Sequence, residues 1–496
     1  MTPGSAERAG SADAPSEFVK AMSLTDATML VAGSMIGSGI FIVSADISRQ
    51  LGSPFLLVMA WVLTGVITLL GALAFGELAA MYPQAGGQYV FLREALGPLV
   101  GFLFGWTLFA VIQTGTIAAV AVAFARFLGL LWPWSAPDLW PWFPHHEFQT
   151  GSGVIAVGLS AQRFIALAMV WVLTLINLRG VRAGKFVQTT LTFVKTGALA
   201  TLIVLGLTLG RNAAALAANF GAGAFVGPID WSGAFLVAFG AAMVGSLFSS
   251  SAWNNVTFAA AEVRDASRNL PRALALGTTL VTLLYVLANV AYLNVLPLHG
   301  SAAGADVMAR GIQFASQDRV GTAAAEAILG PAGVIAMAAA ILISTFGCNN
   351  GLILAGARVY YAMARDGLFF TRAASLSARQ VPAAALIAQA IWTSFLCLTG
   401  TYAQLLGYVI CASMLFNLLT VTGLFVLRVT RPEAARPYRA FGFPVLPALY
   451  VALSGVLCVI LLVADKTRVQ AFSGLVLVLV GIPVFFLWRK AEAVPA

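Results

Sequence analysis

A short run of glycine and serine interrupts the first long apolar segment of the chain. This first break (residues 33–41) reads Gly33-Ser34-Met35-Ile36-Gly37-Ser38-Gly39-Ile40-Phe41. Inside a membrane, backbone N–H and C=O groups lack water, so irregular backbone survives only where protein surrounds it or where it lines a cavity. Half-helix N-termini can then hold an anionic group, and half-helix C-termini a cation. The first break therefore predicts a solute-binding site of the kind found in secondary transporters.

A second polar cluster lies within a later apolar segment. This second break (residues 249–255) reads Ser249-Ser250-Ser251-Ala252-Trp253-Asn254-Asn255, and its serines can bond back to helix carbonyls and loosen the helix. Residues 33–38 and 245–250 also resemble each other in sequence. The predicted topology runs the first copy outward and the second inward, which is expected of inverted five-helix repeats.

A few charged and polar residues lie inside or at the ends of the apolar segments. Lys195 lies about eight residues into the fifth segment, where a lysine needs an internal partner or a function, unless it snorkels to the inner interface. Glu77 and Glu262 lie near inner ends, where each could pair with cytoplasmic arginines or form an inner gate. Asn254 could line the pathway or lock helices together.

The elements that position these residues are predicted from composition. Hydrophobic residues make up 60% of the chain and charged residues 9%, whereas soluble domains are roughly one-quarter charged. The sequence therefore predicts an all-α integral membrane protein. Twelve apolar segments are long enough to cross a bilayer of ~30 Å hydrocarbon. They are residues 26–50, 55–81, 98–127, 163–179, 187–210, 232–262, 272–296, 331–363, 382–400, 403–428, 444–464 and 470–488.

Short tails flank these segments. Residues 1–22 are predicted to be a disordered cytoplasmic tail because they offer little apolar surface to bury, and residues 491–496 form a C-terminal tail. The start of the chain lacks the features of a signal peptide. Most Lys and Arg residues outside the spans fall on the side that would hold the N-terminus, which predicts cytoplasmic termini.

Several function classes fit the composition poorly. The net charge of +9 follows from this membrane topology and does not indicate nucleic acid. Four cysteines without a CxxC pair and three histidines indicate neither a disulfide framework nor a metal site, and no cofactor is predicted. An embedded enzyme would need a converging nucleophile and base, and a channel would need a continuous polar ring. The polar residues concentrate at the two breaks instead.

Eight motifs follow one another along nearly the full chain. They are Gly37 to Phe41; Gly76-Glu77-Leu78 with Gly86-Gly87-Gln88-Tyr89; Val187-Gln188 leading to Lys195; Phe248 to Asn254; Arg268-Asn269-Leu270-Pro271; Tyr285 to Tyr292; Ala364-Arg365-Asp366-Gly367; and Leu427-Arg428 before Arg436-Pro437-Tyr438. In this order they resemble the amino acid/polyamine/organocation superfamily, and within it the L-type amino acid transporters.

The resemblance implies a LeuT-like fold. A transporter core over residues 23–430 would contain two inverted five-helix repeats, at about 23–210 and 232–430. Helices 11 and 12, within residues 440–490, would be added at the side. Helices 1 and 6 would be broken in mid-membrane, with the substrate between them.

The resemblance also assigns roles to residues at the breaks. The substrate carboxylate would contact Gly37, Ser38 and Gly39, and the amine would contact carbonyls of Met35, Phe248 and Ser251. Phe248 would cover the substrate from outside. The full set of expected substrate contacts is Met35, Gly37, Ser38, Gly39, Phe248, Ser249 and Ser251. The expected gating and coupling residues are Lys195, Phe248, Trp253, Asn254, Glu77 and Glu262.

Lys195 matches a family lysine whose ammonium replaces the sodium ion of related transporters. The resemblance therefore implies a sodium-independent transporter, and both exchange and proton symport fit. Neutral amino acids are favoured because Asp46 is the only acidic residue near the expected site; a cationic amino acid or polyamine transporter is the alternative. Ser251-Ala252 replaces a glycine pair common in the family, which would narrow the substrate range.

The expected partners follow from the same resemblance. Animal relatives join a heavy subunit through a disulfide in the loop after helix 3, but the corresponding loop, residues 132–162, has no cysteine. No disulfide-linked heavy subunit is therefore expected. The chain is predicted to be a prokaryotic plasma-membrane protein that acts as a monomer or homo-oligomer, with an amino acid and the lipid bilayer as its partners.

Overall fold

The computed structural model describes residues 18–135, 138, 146–150, 153–226, 232–399 and 402–492. Most of the predicted N-terminal tail and the end of the C-terminal tail lie outside the described residues. Residues 18–22, which the sequence pattern places in the tail, make defined contacts. Met22 N–H donates to the carbonyl of Glu262, and Phe18 packs edge-on against Tyr361.

Helices make up most of the described chain. In chain order they are α1 (Leu24–Met35), α2 (Val43–Leu51), α3 (Pro54–Met81), α4 (Gln88–Leu96), α5 (Pro98–Thr107), α6 (Gln113–Leu131), α7 (Ala161–Leu178), α8 (Val181–Leu207), α9 (Ala213–Phe220), α10 (Gly233–Ala242), α11 (Val244–Ser249), α12 (Asn255–Phe258), α13 (Ala266–Val295), α14 (Val307–Arg310), α15 (Val320–Leu329), α16 (Pro331–Arg365), α17 (Ala383–Thr399), α18 (Tyr402–Thr430), α19 (Val445–Val463) and α20 (Arg468–Glu492).

Short elements complete the fold. Four 3₁₀ helices span Gly39–Phe41, Ala260–Glu262, Ser316–Asp318 and Thr371–Ala374 among the described residues, and a π-helical turn, Leu108–Ile112, joins α5 to α6. An antiparallel hairpin pairs β1 (His146–Thr150) with β2 (Gly153–Val157). This hairpin lies in the long loop before α7, so the chain is predominantly rather than purely helical.

Nine helices among the described residues are long and apolar enough to cross a membrane. Each overlaps one of the predicted spans, and the protein is therefore a multi-pass membrane protein. Three shorter apolar helical stretches also occur, at Gly233–Ser249, Val320–Leu329 and Ala383–Leu398. The stretch Val320–Leu329 was not predicted as a span, and at ten residues it is too short to cross ~30 Å of hydrocarbon.

Helix α1 ends where the first break predicts. It begins with a capping box in which Ser23 and Asp26 bond each other's backbone N–H groups. The helix stops at Met35, and a 3₁₀ turn at Gly39–Phe41 leads into α2. The glycines of the first break favour this interruption because they disfavour continuous helix.

The second break also interrupts a helix. Helix α11 ends at Ser249, and the short α12 begins at Asn255. Between them Ala252 adopts φ +64°, a left-handed conformation that is uncommon for a residue with a side chain. Helix α13 packs against α1, α3 and α8, while α16 packs against α1, α6 and α8. These long helices therefore enclose both breaks.

Candidate substrate site between two helix breaks

Lys195 lies on α8 and points into the first break. Its side chain is 2% exposed, and Nζ donates to the carbonyls of Gly33 at 2.6 Å and Ile36 at 2.7 Å. A third, longer contact joins Nζ to the carbonyl of Ser344 at 3.3 Å. The side chain therefore ends inside the protein and does not snorkel to the interface. Its ammonium lies at the partially negative end of α1.

Other side chains satisfy the remaining carbonyls of this segment. Cys348 Sγ lies 3.1 Å from the carbonyl of Ser34, and Ser344 Oγ donates to the carbonyl of Gly37 at 3.0 Å. Ser344 and Cys348 lie one turn apart on α16 and so share a face. The hydroxyl of Tyr285, on α13, donates to the carbonyl of Met35 at 3.0 Å.

The N–H groups that follow these carbonyls find no acceptor among the residues that the structure describes. Within the described chain, no acceptor pairs with the backbone N–H of Gly37, Ser38 or Gly39. The hydroxyl of Ser38 is also buried without a partner, and Ser38 is 1% exposed. Buried donors without partners are costly, and donors at the start of a helical segment attract anions. This arrangement is chemically suited to a carboxylate.

The second break presents fewer free groups. The carbonyl of Phe248 accepts from Ser251, at 3.0 Å from N–H and 2.7 Å from Oγ. The carbonyl of Ser249 accepts from Tyr285 at 3.1 Å. No described residue donates to the carbonyl of Ser251. Of the three carbonyls expected to contact an amine, those of Met35 and Phe248 already accept a hydrogen bond, whereas that of Ser251 is free.

The two breaks lie against each other. A Cβ added to Gly39 would lie 2.0 Å from Oγ and 3.2 Å from Cα of Ser249, so only glycine fits there without movement. The Tyr285 hydroxyl contacts one carbonyl on each side, those of Met35 and Ser249. A single side chain of α13 therefore connects the first and second breaks.

Two cavities adjoin this region. A cavity of about 1230 Å³ is lined by Ile42, just after the first break, and by Gly245, just before the second. A smaller one, of about 30 Å³, is lined by Ser251 and Asn254. The smaller volume corresponds to about one water molecule. Phe248 is buried between its neighbours, 6% exposed.

Glu77 and Glu262 both form buried ion pairs. Glu77 accepts from Arg428 Nε at 3.0 Å and Nη2 at 2.5 Å, and Arg436 Nε lies 3.2 Å away. Glu262 accepts from Arg358 Nη2 at 2.8 Å. Both carboxylates thus pair with arginines that the predicted topology assigns to the cytoplasmic side. Pairing compensates much of the cost of burying these charges.

Trp253 and Asn254 make packing and hydrogen-bond contacts. Trp253 packs edge-on against Phe75 with ring centroids 4.7 Å apart. Asn254 Nδ2 donates to Gln88 Oε1 at 2.6 Å, and Gln88 Nε2 donates in turn to Asn417 Oδ1 at 3.0 Å. Asn254 therefore links the second break to α4 and α18, and it also lines the smaller cavity.

Sequence comparison identifies the family of this chain. A family model described as amino acid permease matches residues 22–485. The chain belongs to the amino acid permease family. Among its relatives, the large neutral amino acids transporter small subunit 2 of Homo sapiens is 30% identical over 493 residues, which cover 97% of this permease and 82% of that protein.

Two further relatives are similar over nearly the whole permease. The b(0,+)-type amino acid transporter 1 of Mus musculus is 27% identical, covering 95% of the permease and 88% of that protein. The Asc-type amino acid transporter 1 of Mus musculus is 28% identical, covering 95% and 82%. These names confirm the predicted resemblance to the superfamily and its L-type amino acid transporters.

Sequence reasoning missed three residues of the permease that contact the first break. Tyr285 lies within a quoted motif but was given no role, and Ser344 and Cys348 were not considered as contacts of the break. The spacing of Ser344 and Cys348, with the small Gly351 one turn further, marks a polar and small face on α16. That face was the sequence signal from which the contacts of Ser344 and Cys348 with the first break could have been predicted.

Proposed function

We propose that the protein is a sodium-independent secondary transporter of neutral L-amino acids that works by alternating access, through exchange or proton-coupled symport. It would carry out no chemical conversion and would need no cofactor. The observation that carries the proposal is the row of free donors in the first break, formed by the N–H groups of Gly37, Ser38 and Gly39. Together with the Ser38 hydroxyl, they would bind the carboxylate of an amino acid.

The amine would bind at the opposite pole. Among the described residues, the Ser251 carbonyl is the one expected acceptor without a donor, since Tyr285 already donates to the Met35 carbonyl and Ser251 to that of Phe248. Binding at Met35 would require the Tyr285 hydroxyl to turn away. The remaining expected contacts, Phe248 and Ser249, would close the site around the substrate.

Lys195 supports independence from sodium. Its ammonium occupies carbonyls of Gly33 and Ile36 that would otherwise be available to a cation. An ion entering there would have to displace a buried, hydrogen-bonded charge. Lys195 would therefore link movement of the first break to movement of α8. It is also the candidate residue to carry the proton in proton-coupled symport.

The charge around the site supports a neutral substrate. Asp46, the expected counter-charge for a cationic substrate, is paired with Lys466 at 2.9 Å. One relative is itself named for large neutral amino acids. The alternative, a cationic amino acid or polyamine transporter, rests on Asp46 because this carboxylate lines the larger cavity.

We further propose the twelve-span arrangement in a prokaryotic plasma membrane. The nine long helices would be joined by three interrupted or shorter spans: α1 with α2, α10 with α11 and α12, and α17. The excess of Lys and Arg would place both termini in the cytoplasm. The protein would act as a monomer or homo-oligomer without a disulfide-linked heavy subunit, since residues 132–162 lack cysteine.

Transport by purified protein in liposomes tests the proposal. Liposomes loaded with unlabelled leucine and alanine should take up labelled leucine equally in sodium-free and sodium buffers. Stimulation by an inward proton gradient would indicate symport, and exchange that ignores the gradient would indicate an antiporter. Uptake of labelled lysine but not leucine would favour the alternative, and absence of any uptake would contradict both.

A pair of lysine substitutions on α8 tests the coupling role. Lys195→Met should reduce leucine uptake more than tenfold, because buried carbonyls lose their donor at ~1–3 kcal/mol each. Lys185→Met is the matched control, since Lys185 pairs with Asp26 at a partly exposed position. Full uptake by Lys195→Met would show that the buried ammonium is dispensable.

A further inference from the structure

The larger cavity carries more basic than acidic side chains. Its charged lining comprises Asp46, Arg49, Arg126, Arg163, Asp318, Arg319 and Lys466. Both carboxylates already have partners: Arg49 lies 2.7 Å from Asp318, and Lys466 lies 2.9 Å from Asp46. The lining therefore keeps an excess of positive charge that an anion would balance.

Two arginines in this lining form no ion pair with any described carboxylate. Arg126, near the end of α6, donates from Nη2 to the carbonyl of Gln317 at 2.9 Å. Arg319, just before α15, donates from Nη2 to the carbonyl of Arg126 at 3.1 Å, and its guanidinium lies 5.2 Å from the centre of the Phe127 ring. Neutral carbonyls and one ring face are thus their described partners.

Arg319 is the better buried of the two. It is 9% exposed, and its Nε is buried without a hydrogen-bond partner. Holding a guanidinium in such surroundings without a counter-charge is expensive. The second arginine nearby, Arg126, adds like-charge repulsion, and a bound anion would remove both costs. Arg163 lines the same cavity but is anchored to the carbonyls of Gly158 and Leu398.

We propose that Arg126 and Arg319 form an anion subsite that holds the carboxylate of an amino acid before it reaches the first break. This inference rests on the proposed function, whose cytoplasmic N-terminus would put Asp46, near the end of the first span, and the cavity that Asp46 lines on the external side. The same cavity is lined by Ile42 and Gly245, which flank the two breaks. A carboxylate released from the arginines would therefore leave the cavity at Ile42, three residues beyond the N–H groups of Gly37 to Gly39.

The subsite predicts a specific kinetic change. Arg126→Gln and Arg319→Gln should each raise the KM for leucine about tenfold, the size expected when a partly solvated charge-assisted hydrogen bond is lost. The maximal rate should stay near that of the unaltered protein, because the first break is untouched. Arg319→Lys keeps the charge and should restore most of the affinity. Arg211→Gln removes an exposed arginine outside the cavity and should change nothing.

Two controls separate substrate binding at the arginines from a folding defect and from chloride binding. Melting temperature and elution volume identify a variant that fails to fold, in which case the other arginine variant carries the test. Replacing external chloride by methanesulfonate at constant ionic strength shows whether chloride occupies the site. A KM that rises on this replacement in the unaltered protein but not in Arg319→Gln would show that the arginines bind chloride to support transport, and would overturn the assignment to the substrate.

Two further outcomes have distinct meanings. An unchanged KM in both Arg126→Gln and Arg319→Gln, with leucine transport intact, would overturn the subsite alone. Absence of amino acid transport by the unaltered protein would instead overturn the proposed function, whatever the variants do.

Discussion

At the scale of single residues, the first break separates its donors from its acceptors. Its carbonyls receive hydrogen bonds from side chains on three surrounding helices, through Lys195, Tyr285 and Ser344. The N–H groups of Gly37, Ser38 and Gly39 donate to no acceptor in the described chain. The protein thus neutralises the negative end of α1 itself, and under the proposed function a ligand would bind at the positive end of the following segment. This asymmetry explains why a carboxylate is the expected first contact.

Tyr285 offers a test at this scale. Tyr285→Phe removes the hydroxyl that contacts the carbonyls of Met35 and Ser249 but keeps the ring that packs against Trp61. We expect the free energy of unfolding to fall by about 1 kcal/mol and leucine uptake to fall severalfold, because the two breaks lose their shared partner. Uptake and melting temperature in detergent measure both effects.

Tyr292→Phe is the matched control for this prediction. Tyr292 lies two turns further along α13, and its hydroxyl makes only a long contact, 3.4 Å, with the carbonyl of Ile40. Loss of the Tyr292 hydroxyl should therefore lower leucine uptake and the free energy of unfolding less than loss of the Tyr285 hydroxyl does. Equal effects of the two substitutions would show that the link between the breaks has no special role.

Sequence alone predicted part of this residue-level arrangement. A cluster of glycine and serine, a run of serines followed by asparagines, and a lysine within apolar segments stand out, so both breaks and Lys195 could be found. The hydroxyl of Tyr285 could not, because its contacts depend on how α13 rotates toward α1, and Ser344 was signalled only by the polar and small face of α16. Arg319 also escaped notice, since a loop arginine carries no sequence signal of burial.

At the scale of elements, the two interrupted helices depend on close contact between the breaks. Gly39→Ala would place a methyl group 2.0 Å from Ser249 Oγ and 2.8 Å from its Cβ, so one of the two segments must shift. We expect leucine uptake to fall more than tenfold and the melting temperature to drop, since rotating the Ser249 side chain moves Oγ but not Cβ. Uptake in liposomes and thermal unfolding in detergent measure these changes.

The control is the same substitution on an ordinary helix. A Cβ at Gly197 on α8 meets nothing within 4 Å. Gly197→Ala should therefore be neutral or slightly stabilising, because alanine favours helix over glycine by about 1 kcal/mol. Normal transport by Gly39→Ala would mean that the breaks need not touch as they do here.

The helix pattern was easier to predict than its interruptions. Long apolar segments identified the nine long helices of the described chain, since length and hydropathy decide whether a helix can cross a membrane. The short helix α15 and the hairpin of β1 and β2 were missed, because neither is long enough to show in such a pattern. The position of Ala252 in the left-handed region was also invisible in the sequence.

At the scale of the whole molecule, the two ends differ. One end contains the large cavity, lined by Arg49 and Lys466 among others. At the other end, Asp366 accepts hydrogen bonds from Tyr89, at 2.7 Å, and from Arg93. The buried pair of Glu77 with Arg428 lies among the residues that the predicted topology assigns to this same side. Under the proposed topology and alternating-access function, ion pairs that hold this end together while the cavity end is open would correspond to an outward-facing state.

Asp366→Asn tests this arrangement, since it weakens the contact with Arg93 and should shift the population away from the state in which the large cavity is open.

Cysteine labelling measures this shift. Cys411 lines the large cavity and can report whether that cavity is open once Cys348, Cys397 and Cys458 are replaced by alanine. We expect a membrane-impermeant maleimide to label Cys411 severalfold more slowly in Asp366→Asn. Glu433→Gln, at an exposed position, is the control and should leave the rate unchanged. Equal labelling of all three proteins would mean that the Asp366 contacts do not hold that end closed.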